Sequence, residues 1–140
     1  RLSPRLTCAI GLQAQCTYDP REVKKIVPGK AYNHGDLKRL YGKTRSWDWD
    51  TDDISPALSA LLIDASPITH LTKDDCPVFL YHREDQTIPG NIHHGNMGRH
   101  LKNEMDALQI ECVHYMSTDL KEGNAQNEAI VAFVKKHFVM

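Results

Sequence analysis

Residues 77–89 read PVFLYHREDQTIP, an apolar run that stops on a polar cluster before an isoleucine and a proline. The part from Pro77 to His82 is short, rich in β-branched and aromatic residues, and nearly continuous in apolar character. A strand covered on both faces of a parallel sheet reads this way, whereas a half-solvated strand alternates. Two other stretches share the pattern, LTCAIGLQA at 6–14 and IECVHYM at 110–116. Between the last two strands, Met97, Leu101, Met105 and Leu108 recur at spacings of four, four and three, which makes one helical stripe. After the third strand, Asn124 can cap a helix striped by Ala129, Ile130, Phe133, Val134 and Phe138. Lys135, Lys136 and His137 fall in its last turn, where the helix dipole favours cations. Residues 67–140 are therefore expected to form a β-α-β-α unit.

The stretch at 18–66 is different. Helical segments are expected at 20–26, 35–41 and 55–64, with the polar loop KTRSWDWDTDD at 43–53. About fifty residues between two strands exceed what a minimal crossover needs, so a cap-like excursion over the carboxyl ends of the strands is expected. With 140 residues, the chain suits one domain, its first strand lying within residues 1–17. The expected fold class is α/β: a small, mainly parallel three-stranded sheet flanked by helices.

Composition narrows the function. Hydrophobic residues make up 41% and charged residues 25%, as in globular chains, and the net charge of −1 gives no footprint for nucleic acid. No apolar run approaches the roughly 20 residues of a membrane span. Cys8, Cys16, Cys76 and Cys112 form no CxxC pair and no zinc spacing, so reduced thiols and a cytoplasmic setting are expected.

Asp48, Asp50 and Asp52 alternate like calcium ligands, but Asp53 and Ser59 stand where an EF-hand loop needs glycine and glutamate. A solvated loop anchored by Trp47 or Trp49, with Asp53 or Ser55 capping the next helix, is the expectation there. His93 and His100 lie two turns apart on one helix, roughly 10 Å along its axis, too far for one metal ion. No metal and no cofactor is expected. Phosphate-cradling glycine loops and the G-x-S-x-G nucleophile elbow are absent from the sequence.

Taken together, ASPITHLTKDDCPVFLYHREDQTIP (65–89), the helix beginning NIHH, and the last strand and helix resemble the C-terminal half of an α/β-hydrolase. The resemblance is to the esterase/lipase branch with dienelactone-hydrolase-like and prolyl-peptidase-like domains. Ser66-Pro67, Cys76-Pro77, His82, Asp85 and Ile88-Pro89 fall on its pattern, while Arg83 stands where that branch has glycine. The resemblance implies a partial α/β-hydrolase fold, with Asp85 at the triad-acid position. The base expected after the last strand is missing, because MSTDLKEGN (116–124) holds no histidine, and His114 inside the strand suits packing.

An acid without nucleophile and base cannot run acyl transfer. Asp85 is accordingly a relict acid or simply the residue that starts a turn. His93 and His94, near the helix start at the same sheet edge, are candidates for ligand contact. The expected function is a non-catalytic, hydrolase-like binding or structural module. The alternative is an esterase/lipase-type serine hydrolase whose nucleophile half lies on a preceding segment or another chain. The strand running from Leu6 to Ala14 would be an open apolar edge, so a homodimer through that edge is expected.

Overall fold

The computed structural model describes residues 6–83 and 87–138. Three strands, β1 (Ala9–Leu12), β2 (Val78–His82) and β3 (Cys112–Met116), form one parallel sheet in the order β1-β2-β3. Ala9 pairs with Val78 and Leu12 with Tyr81, while Val78 pairs with Cys112 and His82 with Met116. Five α-helices accompany them: α1 (Pro20–Ile26), α2 (Gly35–Leu40), α3 (Pro56–Asp64), α4 (Asn96–Ala107) and α5 (Ala125–His137). Short 3₁₀ turns lie at Ala31–Asn33 and Pro67–His70. The chain is thus a small α/β fold with an all-parallel sheet.

Local chemistry sets the helix ends. The Asp19 carboxylate accepts from the Arg21 N–H, and Pro20 occupies the first turn of α1, where its missing N–H costs nothing. Ser55 caps α3 by accepting from the Leu58 N–H at 3.2 Å, with Pro56 following it. Asn124 holds the N-cap position of α5, but its side chain makes no capping hydrogen bond. Helix α4 ends at Ala107 with Leu108 as its C-cap, and Gln109 then takes a left-handed φ of 61°.

β2 is the buried centre. Leu80 packs with Met105 of α4, Ile110 and Cys112, and Phe79 and Tyr81 pack with Phe133 of α5 on the other face. Adjacent strand residues point to opposite faces, which is why the run needed to be apolar throughout. β1 departs from the expectation of burial on both faces: Ile10 is 37% and Leu12 53% exposed. Both lie in register with Phe79 and Tyr81, on the α5 side, yet neither joins the cluster that α5 forms over β2 and β3. Phe138 and Leu108, expected on the helix stripes, are also exposed, because both helices end before them.

Residues 18–66 build their own core from Val23, Val27, Ala31, Tyr32, Leu37, Trp49 and Leu62, which closes on Cys16 and on Met97 of α4. This unit is tied to the segment leaving β2, for the Gly90 N–H donates to the Pro28 carbonyl at 2.8 Å. Asn96 Nδ2 donates to the Ile26 carbonyl at 2.9 Å as well. In the acidic loop, Trp49 is buried edge-on against Trp47 and Tyr41, at 5.6 and 5.8 Å. Its aspartates serve the fold: Asp50 accepts from Lys24 and Tyr32, and Asp48 from Asn33.

Ser66 ties the end of α3 to the segment that enters α1. Its buried hydroxyl accepts from the Tyr18 and Asp19 N–H groups and from Thr17 Oγ1, and donates to the Leu62 carbonyl at 2.9 Å. Ser66→Ala should strand buried donors and cost about 1.5 kcal/mol in urea unfolding. An unchanged urea midpoint would show that the junction does not depend on this hydroxyl.

Candidate functional site

Parallel sheets place chemistry at the carboxyl ends of their strands, where chain reversals leave a crevice. Here β1 ends as Gln13 turns to a left-handed φ of 57°, β2 ends on His82, and β3 carries His114 beside it. His82 is fully buried. Its Nε2 lies 3.1 Å from the Ala14 carbonyl and its Nδ1 lies 3.1 Å from His114 Nε2. A carbonyl only accepts, so Nε2 of His82 carries the proton, and Nδ1 accepts from the Nε2–H of His114. The two rings stand edge to face, 5.1 Å between centroids at 84°.

Both imidazoles are held neutral. Burial pushes His82 below the ordinary histidine value. Burial, then the neighbouring His82 and Arg99, bring His114 down to about 4. Gly98 of α4 closes over the pair: a Cβ there would stand 2.6 Å from His114 Nε2 and 2.8 Å from His82 Cε1.

The two histidines expected at this edge take different places. His94 is buried, its Nε2–H donating to the Thr87 carbonyl while its Nδ1 accepts from the Asn96 N–H, both at 3.0 Å. Burial lowers its pKa. It therefore fixes the loop into α4 and spends both ring nitrogens in doing so. His93 is exposed and donates from Nδ1 to the Gln13 carbonyl at 3.0 Å, which ties the same loop to β1. Gln15 Nε2 adds a bond to the Ile92 carbonyl at 2.8 Å. Asp85 lies outside the described residues.

The edge thus joins His82, His93, His94 and His114 through main-chain carbonyls and each other. An imidazole can act as a base only with a free nitrogen lone pair directed at the proton it takes. His82 and His94 have none left. Sequence reading assigned His114 to packing and missed its pairing with His82. The register Leu80↔His114 sets it one pair from His82 on the same face, and only a pairing scheme could have revealed that.

Polar chemistry also lines a cavity of about 680 Å³ beside α1 and α4, with Thr17, Asp19, Arg21, Ser66, His100 and Glu104 among its walls. Asp19 there is clamped by Arg21, Nη2 to Oδ2 at 2.6 Å, and the Ser66 proton is committed to Leu62. No nucleophile–base pair is assembled in it. Among the described residues, no group of three or more His, Cys, Asp or Glu side chains is placed to hold a metal ion, and no helix is long and apolar enough to cross a membrane. Compared with protein-family models, with curated proteins and with solved structures, the chain matches none.

Proposed function

We propose that this chain is a non-catalytic, α/β-hydrolase-like module that binds or scaffolds rather than turns over substrate. One observation carries the reading. At the strand-end crevice, where such a hydrolase would gather nucleophile, acid and base, the two buried imidazoles His82 and His94 have both ring nitrogens spent on main-chain groups and on His114. The sequence supports it, having no G-x-S-x-G and no histidine in MSTDLKEGN (116–124), the segment that directly follows the last strand. Asp85 is then a relict acid, and His93, with its ring exposed at the edge, is the histidine best placed to touch a ligand.

The expected outcome is no label from a fluorophosphonate probe and no turnover of p-nitrophenyl esters. Stoichiometric labelling of any serine would refute the reading. The module is proposed to pair through β1, whose Ile10 and Leu12 side chains are exposed along a stretch with no charge from Leu6 to Tyr18. Light scattering at micromolar protein should then give twice the chain mass, and Leu12→Lys the mass of one chain. A cytoplasmic setting is proposed from the four free thiols. Burial pushes Cys16 up to about 12 and Cys112 up to about 11, so neither is a ready nucleophile.

The free β1 edge also favours a second reading. A strand from a nucleophile-bearing half, on a preceding segment or a separate chain, would extend the sheet there and complete an esterase. Labelling that appears only when such a half is added would decide for it.

A further inference from the structure

Beside α2 the 18–66 unit opens a second cavity, of about 350 Å³, with a chemistry unrelated to the strand edge. His34, Lys38, Arg39, Lys43 and Arg45 line it, and Asp36 is its one lining carboxylate. Asp36 pairs with Arg39 and so neutralises only that guanidinium. Lys38 is 8% exposed, and its ammonium makes one hydrogen bond, to the Arg45 carbonyl at 3.2 Å. No carboxylate pairs with it among the described residues. An ammonium has three N–H donors, and burying its charge without a counter-ion is costly. Lys43 is held over the Trp47 ring, 3.9 Å from its centre. The lining concentrates charge: Lys38, Arg39, Lys43 and Arg45 against Asp36, in a chain whose net charge is −1.

We infer that this cavity binds a dianionic oxyanion, the phosphate of a small phosphomonoester. The ammonium of the largely buried Lys38 would gain acceptors beyond the Arg45 carbonyl, Lys43 and Arg45 would balance the second charge, and the volume leaves room for a small organic body beside the phosphate. The inference does not rest on the module being inactive, since the cavity is built without any strand-edge residue.

The test is a titration of the full chain with glycerol phosphate, with inorganic phosphate, and with chloride at matched ionic strength, read by amide chemical shifts and thermal unfolding. Glycerol phosphate should move the amides of residues 33–45 and raise the melting temperature by several degrees. Inorganic phosphate doing the same at equal concentration supports the same oxyanion site with the free ion as its source. Arg45→Gln, at an exposed position that leaves the fold intact, should weaken binding about tenfold, and Lys38→Met should abolish it. Should Lys38→Met fail to fold, Arg45→Gln decides alone. Chloride reproducing the shifts, or Arg45→Gln binding like the parent chain, would overturn the inference.

Discussion

Gly98→Ala should lower stability by about 2–3 kcal/mol, although alanine inside a helix is favoured over glycine by roughly 1 kcal/mol. The added methyl would sit 2.6 Å from His114 Nε2 and 2.8 Å from His82 Cε1. Neither ring can step aside cheaply. His82 is pinned by its bond to the Ala14 carbonyl, and His114 by its bond to His82. Moving either breaks a buried hydrogen bond in addition to repacking the core. Urea unfolding of Gly98→Ala, His114→Ala and the double variant forms a cycle with a definite sign. In the His114→Ala background the same methyl should cost less, since only the contact with His82 Cε1 remains. Additive costs in the double variant would show that the clash does not run through His114.

Acid should weaken the fold before its carboxylates titrate. His114 has an ordinary value of 6.5 and falls to about 4 in the fold, mainly through burial, with His82, Arg99 and Lys102 adding to the effect and Asp119 opposing it. The unfolded chain therefore binds the proton first. The contribution of His114 is complete above pH 6.5 and is lost as pH falls towards about 4, amounting to about 3 kcal/mol. His82 and His94 are lowered by burial and act with the same sign. Asp36, Asp48, Asp50 and Glu111 are lowered by their partners, so their contributions fade only as pH drops below the ordinary carboxylate range. The window between pH 6.5 and 4.5 thus belongs to the imidazoles. Urea midpoints at pH 7, 5.5 and 4.5 should fall steadily, and His114→Phe should flatten the slope. A midpoint that holds constant from pH 7 to 4.5 would refute the neutral pair.

Much of the architecture was legible because the periodicities are strong. VFLYH has both faces covered, so every residue had to be apolar or a satisfied histidine, and the run announced a central strand. Met97 and Met105 lie two turns apart on one buried face of α4. Ser55, one of two residues expected to cap the helix at 55–64, marked its start to within a residue, because a cap is chemistry between near neighbours. The site was less legible. His93 and His94 were placed at the right edge, but which of the two is buried depends on Thr87, Asn96 and Gln13 arriving from elsewhere in the chain.

By itself, then, the sequence determined a parallel α/β unit, the Ser55 cap and the lack of a G-x-S-x-G elbow, all matters of residue type and short-range spacing. Only the tertiary structure decided that β1 leaves Ile10 and Leu12 open, since that depends on how far α5 reaches across the sheet. It alone brought His82 of β2 against His114 of β3 and laid Gly98 over both, for strand register and helix position are fixed by packing between segments distant in the chain. It also gathered Lys38, Lys43 and Arg45 around one cavity, where the Lys38 ammonium pairs with no carboxylate among the described residues.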